Sequence, residues 1–124
     1  MKANNALGDS VELSPDRIYE ILAHEYRRHV LCVLHSRPGP VEVEELASLV
    51  TARSQDVPIG DVEENDRDAV LVELHHNHLP RLRAADLIRY DRATTDRVEL
   101  VSDLQPILPS LRAGSDDVRE YHVD

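Results

Sequence analysis

Apolar residues in the first third of the chain recur at steps of three and four, the spacing of an amphipathic α-helix. Ser14-Pro15-Asp16 provides a helix start, with a hydroxyl N-cap, a proline at the first helical position and a carboxylate near the positive helix end. Arg37-Pro38-Gly39-Pro40 provides a stop. The pattern predicts one long helix between these signals, whose apolar stripe is Ile18, Ile21, Leu22, Tyr26, Val30, Val33 and Leu34.

The next segment predicts a minimal strand followed by a second helix. Val41-Glu42-Val43 alternates apolar and polar positions, as a short strand does. A helical stripe over about 43–53 then follows, formed by Val43, Leu46, Ala47 and Val50. Residues 54–65 contain a proline, a glycine and four acidic residues, so they are expected to form a loop.

A third helix is predicted from near Asp66 to Ala85, interrupted by a proline. Pro80 loses a backbone hydrogen bond and clashes with the preceding turn, so a kink or a restart near Asn77 or His78 is expected, with Pro80 in the new first turn. At about 100° per residue, one side of this helix is apolar and carries Leu71, Leu74, His78, Leu82 and Ala85. The other side carries Glu73, His76, Asn77 and Arg83.

The remaining chain predicts a β-hairpin and a short helical end. Residues 87–91 and 97–101 are strand-like, and the polar stretch between them is turn-like. A final piece has helical spacing but contains two prolines, which predicts at most a short, broken helix; its apolar residues are Leu104, Ile107, Leu108 and Leu111. We expect a flexible N-terminal arm over 1–13, one folded domain over 14–112 and an acidic mobile tail over 113–124.

This order of elements is typical of a winged helix-turn-helix, an α+β and mostly helical fold. Helix, minimal strand, two helices and a hairpin can close one core, with 41–43 as a third strand beside the hairpin. The expected architecture is three helices plus a hairpin wing, with a possible short C-terminal helix.

Composition narrows the class of protein. Hydrophobic residues make up 41% of the 124 residues and charged residues 31%, and no apolar run approaches the roughly 20 residues of a membrane span. The single cysteine, Cys32, cannot form an internal disulfide, and the N-terminus lacks a secretory signal. We expect a cytoplasmic protein without a membrane partner. Because no phosphate-binding glycine loop or nucleophile elbow occurs, we expect no enzyme, no catalytic residues and no cofactor.

The chain is strongly acidic, and its basic residues are almost all of one type. The net charge is −10, and 13 of the 14 basic residues are arginine, Lys2 being the exception. An acidic, lysine-poor surface is typical of proteins from a high-salt cytoplasm, where the Debye length falls to about 3 Å and screens self-repulsion. The alternative is an acidic protein adapted to ordinary salt.

The segment LHHNHLPRL at 74–82, followed by ADLIRYD at 85–91, resembles a haloarchaeal family of uncharacterised winged-helix proteins. The shared signature is HLPxL at a helix end and YD at a strand end, and the resemblance spans about 15–101. The HLxxLxxxxLI portion is more distantly similar to arsenic-repressor-type transcriptional regulators. The resemblance implies a winged-helix fold and a role in transcriptional control. Two departures are Asp86, where related sequences have glycine, and a loop at 54–65 longer than a tight helix-turn-helix link.

Double-stranded DNA is therefore the expected partner, bound by a homodimer whose contact comes from the first helix and 103–112. Residues 81–97 carry a net charge of +2, whereas 61–85 carry −3, so the cationic part is the end of the third helix and the wing. Base readout and phosphate contacts need polar and cationic side chains at the groove. The candidate DNA-binding residues are His76, Asn77, Arg81 and Arg83 on the helix and Arg89, Arg92 and Arg97 on the wing.

Three alternatives stay open. The arginines could instead form ordinary ion pairs with Asp86, Asp91 and Asp96. The domain could be a protein–protein interaction module without direct DNA binding, its acidic third helix facing the partner. Arg27 and Arg28 could reach a phosphate or a second subunit, although pairing with Glu20 or Glu25 is favoured.

The histidines invite a metal hypothesis. His75 and His78 have same-face helical spacing, His76 lies between them, and Cys32 and His35 on another helix could add ligands. Because His78 falls on the apolar stripe, a core or capping histidine is favoured and no metal site is expected. Cys32 is interpreted as a small buried hydrophobic residue.

Overall fold

A computed structural model describes residues 14–91 and 96–111. The predicted arm over 1–13, the tail over 113–124 and the hairpin tip at 92–95 lie outside these residues. The helices and strands are α1 (Pro15–Leu22), α2 (Glu25–Ser36), β1 (Val41–Glu42), α3 (Val43–Gln55), a 3₁₀ turn (Ile59–Asp61), α4 (Glu64–Glu73), a π-helical turn (Leu74–His78), α5 (Leu79–Ala84), β2 (Ile88–Tyr90) and β3 (Arg97–Leu100).

The α+β, mostly helical winged-helix fold predicted from the sequence is confirmed. A three-stranded antiparallel sheet has the order β1-β3-β2, with β3 in the middle. In this sheet Val41 lies opposite Val98, and Tyr90 lies opposite Val98 from the other side. The short strand at 41–42 is thus the expected third strand of the wing, and α3 begins immediately after it.

The prediction of one long first helix is wrong. The helix breaks at Ala23 and His24, giving α1 and α2. Arg27 donates to the carbonyl oxygens of Ile21 at 2.8 Å and Glu20 at 3.0 Å, and Arg28 donates to the Leu22 carbonyl at 2.7 Å. These bonds satisfy the carbonyls that α1 leaves free at its last turn. Ser14 caps α1 as predicted, because its side chain accepts from the backbone N–H of Arg17.

His24 completes the break by starting the next helix. Its Nδ1 accepts from the backbone N–H of Tyr26 at 3.0 Å, and its backbone is extended. The two arginines of the first turn of α2 therefore reach back to α1 while His24 caps α2. Their expected pairing with the Glu20 or Glu25 carboxylates is replaced by bonds to backbone oxygens.

Pro80 restarts the third helix as predicted. The π-helical turn places Leu79 so that its N–H bonds to the carbonyl of Leu74, five residues back. Pro80 then lies in the first turn of α5, where a missing N–H costs little. The preceding loop is shorter than the expected 54–65, because α3 runs to Gln55 and α4 begins at Glu64.

α5 ends in a Schellman motif, in which the residue after the C-cap has a left-handed backbone conformation. Asp86 has φ +63°, in the left-handed region. Its N–H bonds to the Arg83 carbonyl at 2.9 Å, and the Leu87 N–H bonds to the Leu82 carbonyl at 3.1 Å. Leu82 and Leu87 are both buried, so the motif also brings the chain into β2.

The core is almost entirely aliphatic. It joins α2, α3, the α4–α5 run, the sheet and the C-terminal segment, where 108–111 is helical as predicted. Each predicted apolar position of α3 is buried. The largest fully buried side chains include Leu31, Leu46, Leu74, Leu79, Leu82, Leu87, Leu104 and Leu111. Leucine thus fills the space that phenylalanine and tryptophan occupy in most domains.

Candidate nucleic-acid interface

Tyr90 joins the third helix to the wing. Its hydroxyl lies 2.5 Å from Nδ1 of His75, and its carbonyl accepts from Nη1 of Arg83 at 3.1 Å. The Arg83 guanidinium also lies over the Tyr90 ring, 6.0 Å from its centroid. Because Tyr90 is itself buried, these contacts hold β2 at a fixed position against the π-helical turn and α5.

The four helical candidates lie on this joined surface or next to it. His76, Arg81 and Arg83 are exposed and Asn77 is half-buried. Nε of Arg81 donates to the Asn77 side-chain oxygen at 2.7 Å, an i, i+4 contact along the helix. This contact leaves the remaining Arg81 N–H groups and the Asn77 amide N–H groups available to a ligand.

The wing arginines are exposed and form ion pairs across strands. Nη1 of Arg89 lies 2.9 Å from the Glu99 carboxylate, and Nη2 of Arg97 lies 3.9 Å from that of Glu42. Glu99 and Glu42 are the register partners of these arginines in the sheet. Exposed pairs of this kind contribute at most about 1 kcal/mol. The seventh candidate, Arg92, lies outside the described residues.

The acidic residues of the same helical run are concentrated towards its start. Glu64, Asp66 and Asp68 of α4 are exposed, and Arg67 lies 3.0 Å from the Asp68 carboxylate. Glu73 follows at the end of α4. The run from α4 to α5 is thus acidic at its beginning and basic at its end.

A buried Arg27–His78 contact lies behind this surface. Nη1 of Arg27 lies 3.0 Å from Nδ1 of His78, and both residues are buried. The His78 ring also packs against the rings of His24 at 4.2 Å and Tyr26 at 5.7 Å between centroids. Burial, with further contributions from His24, Arg27 and Arg81, lowers the pKa of His78 to about 4.

The histidine and cysteine positions do not converge in the described residues. Within 14–91 and 96–111 no group of three or more His, Cys, Asp or Glu side chains could hold a metal ion. His75 contacts Tyr90 and His78 contacts Arg27, so the two are held by different neighbours. Cys32 is half-buried and packs against the core. In the same part of the chain, every helix is too short or too polar to cross a membrane.

The sequence identified the exposed cations but missed the groups that position them. From the sequence, Tyr90 was noted only as part of the YD motif. Its bonds connect it to His75, 15 positions away, and to Arg83, 7 positions away, so the sequence pattern around Tyr90 does not indicate them. The position of His78 on an apolar stripe was the signal for a buried role. Its arginine partner lies 51 residues away, so no local spacing indicates the pair.

The helices, the three-stranded sheet and the cationic helix–ribbon junction define a winged-helix domain. Residues 19–99 match the family described as a domain of unknown function (DUF7344), and the chain belongs to that family. No curated protein and no solved structure matches the chain.

Proposed function

We propose that this protein is a winged-helix transcriptional regulator that binds double-stranded DNA as a homodimer. The observation that carries the proposal is the junction at Tyr90, which fixes the basic end of the helical run beside the wing. Winged-helix and helix-turn-helix proteins insert such a helix end into the major groove while neighbouring cations contact phosphates.

The available charge on α5 supports this proposal. Among the described residues, neither Arg81 nor Arg83 has a carboxylate within 4.0 Å, whereas Arg37 and Arg67 do. Arg81 and Arg83 instead contact neutral oxygens, so their charges are not neutralised locally. Arg83 is also held by the Tyr90 carbonyl, which reduces the entropy lost when it binds a ligand.

His76 and Asn77 are the proposed base-reading residues. They lie on the π-helical turn just before α5, one exposed and one half-buried. An asparagine amide can bond two atoms of an adenine edge, and a histidine can donate or accept at a base edge. The wider π turn changes the direction in which these two side chains leave the helix, compared with an uninterrupted α-helix.

A homodimer is supported by an apolar groove beside α1. The groove lies between α1 and the C-terminal segment, and its lining includes Ile18, Tyr19, Leu22 and Ser110. Tyr19 is 77% exposed, which is unusual for a large ring in so aliphatic a protein. A two-fold dimer needs a protruding group and a receiving groove on one surface, and Tyr19 beside this groove provides both.

A protein–protein module is the second candidate function. One observation favours it: Val72 on acidic α4 is 55% exposed, next to carboxylates that would repel a DNA backbone. In that case the partner would be basic and would contact α4 rather than α5.

The test is selection of bound sequences from a random duplex library, followed by titration at several salt concentrations. Arg81→Gln and Arg83→Gln should each weaken binding and lower the salt slope by about 0.9 for each lost phosphate contact. The matched control is Arg37→Gln, which removes the same charge from an exposed arginine paired with Glu45.

Two charge changes distinguish the candidate functions. Under the DNA proposal Glu73→Arg should tighten duplex binding, because it replaces an anion by a cation, and Arg92→Glu should weaken it, because it makes the opposite change. No enrichment of any duplex, or equal effects of all three arginine-to-glutamine variants, would contradict the DNA proposal and favour the protein module.

A further inference from the structure

A small cationic pocket lies where α1 meets α2 and α5. Its volume is about 120 Å³, and its lining residues are Arg17, Glu20, Ile21, Arg27, Arg81 and Ala84. Three arginines and one glutamate give it a formal charge of +2 in a chain whose net charge is −10. The pocket thus concentrates positive charge on a molecule that is otherwise acidic.

Arg27 is a buried cation at this pocket whose guanidinium contacts no carboxylate directly. Only 7% of the residue is exposed, and its three guanidinium nitrogens contact two backbone carbonyls and the neutral His78 ring. Within the described chain no carboxylate lies within 4.0 Å of it. A buried charge is costly unless an opposite charge compensates it, and here the nearest structured contacts are all neutral.

Arg17 and Arg81 add to the positive electrostatic potential of the pocket. Burial and then the charge of Arg81 lower the pKa of Arg27, whereas the Glu20 carboxylate opposes this shift. Nε of Arg17 lies 4.0 Å from the Glu20 carboxylate, so one of the pocket cations is partly neutralised. An anion entering the pocket would therefore be attracted mainly by Arg27 and Arg81.

We propose that this pocket binds a phosphate group. Guanidinium groups present paired N–H donors that match the oxygens of a phosphate, and Arg27 still has unused N–H groups on Nη1 and Nη2. The volume of the pocket is suitable for phosphate. A cavity of about 150 Å³ accommodates benzene, which has six heavy atoms, and phosphate has five. The pocket is too small for a drug-sized ligand, which needs about 300 Å³ or more.

The phosphate has two possible sources. It can be free inorganic phosphate, or a backbone phosphate of DNA, since Arg81 also belongs to the candidate interface. The inference itself does not depend on the proposed function, because free phosphate can be tested without DNA.

The experiment is a ¹H–¹⁵N titration of the full chain with inorganic phosphate at pH 7.5, at constant ionic strength. We expect saturable shifts in the second half of α1 and in α5. Arg81→Gln should weaken the phosphate affinity about tenfold, the typical effect of losing one charged hydrogen bond. Arg17→Gln should weaken it by a smaller factor, because Glu20 partly neutralises Arg17. Glu20→Gln should strengthen it, because the opposing carboxylate is removed.

Arg37→Gln is again the matched control and should leave the phosphate affinity unchanged. Circular dichroism establishes that each variant is folded, and Arg27 is left intact because it stabilises the break between α1 and α2. Unsaturable shifts, or an affinity that Arg17→Gln, Arg81→Gln and Glu20→Gln all leave unchanged, would overturn the inference.

A second titration separates the two sources. If an added duplex displaces bound phosphate and Arg17→Gln weakens duplex binding, the pocket binds a backbone phosphate. If phosphate binds and the duplex does not displace it, free phosphate is the ligand. If phosphate does not bind and Arg17→Gln does not change duplex binding, the phosphate pocket is wrong but the proposed function is not contradicted. If phosphate binds but no duplex binds, the proposed function is wrong but the phosphate pocket is not contradicted.

Discussion

Arg27 donates a hydrogen bond to Nδ1 of His78 inside the domain, at 3.0 Å. An arginine has no acceptor, so Nδ1 must be the unprotonated ring nitrogen and the proton of the neutral ring lies on Nε2. Nε2 is buried without a hydrogen-bond partner among the described residues, and the Glu73 carboxylate is 3.7 Å away. Protonation of Nδ1 would break the bond to Arg27 and place two positive charges side by side.

We predict that the protein loses stability as the pH falls from 6.5 to 4. Burial is the largest cause that lowers the pKa of both His78 and His29 to about 4, whereas an unfolded histidine has its ordinary value of 6.5. Between these values the unfolded chain binds more protons than the folded one, so the free energy of unfolding decreases with decreasing pH. Each histidine contributes a slope of up to about 1.4 kcal/mol per pH unit.

His78→Asn isolates the contribution of one ring while keeping an acceptor for Arg27. Urea denaturation between pH 5 and 6.5 should show a slope about 1 kcal/mol per pH unit smaller than in the unsubstituted protein. An unchanged slope in His78→Asn would mean that His78 is not held neutral by the fold.

The left-handed Asp86 gives a prediction about stability. Glycine adopts this backbone conformation without strain, whereas a β-branched residue does not. Asp86→Gly should therefore be more stable than Asp86→Val by about 1–2 kcal/mol in urea denaturation. Asp68 is an exposed position inside α4 and serves as the comparison. There the valine variant should be more stable than the glycine variant, because glycine is the poorer helix former. The same order at both positions would contradict the role assigned to the Asp86 backbone.

Local rules predicted those parts of the fold that are determined by neighbouring residues. The stripe of α3 and the restart at Pro80 both depend on residues within one or two turns. The break at Ala23 and His24 was missed because Ile18, Ile21 and Val30 keep facing the core on both sides of it. No glycine or proline marks the break, and the arginines that cap α1 act from the following helix.

For the candidate interface, the sequence predicted which side chains are exposed, but it did not predict the buried contacts behind them. Exposure of Arg83 and Arg89 follows from the helical and strand periodicity. Prediction of the Arg89–Glu99 pair requires only the register of the hairpin as well, because the two residues lie directly opposite each other. The Arg27–His78 contact depends on the packing of α2 against the π-helical turn, and the phosphate pocket depends on where α1, α2 and α5 meet, neither of which a sequence period encodes.

The wing ion pairs predict an effect on DNA binding. Glu99 holds the Arg89 guanidinium and also places a negative charge near the expected phosphate backbone. Glu99→Gln should tighten duplex binding several-fold at low salt, with a smaller gain at high salt because the effect is electrostatic. Glu45→Gln, which releases Arg37 in the same way at residues that are not candidate DNA contacts, is the control. If both variants tightened binding equally, the gain would reflect net charge rather than the wing.

The groove beside α1 predicts how the protein dimerises. Tyr19→Asp places a charge on the protruding ring position, so desolvating it in a two-fold interface is unfavourable. We expect the dimer dissociation constant to rise at least tenfold, measured by analytical ultracentrifugation over a concentration series. Val72→Asp adds the same charge to an exposed apolar residue on α4 and should leave dimerisation unchanged.

Tyr19→Asp also links the dimer to the proposed function. Two domains on one duplex gain affinity from being connected, because the second contact becomes intramolecular. If the dimer uses α1, Tyr19→Asp should weaken binding to a duplex with two half-sites about one helical turn apart more than binding to a single half-site. A monomeric unsubstituted protein, or equal effects of Tyr19→Asp and Val72→Asp on dimerisation, would contradict the α1 interface. Binding to a single half-site by the monomeric variant would show that DNA recognition itself does not require the α1 interface.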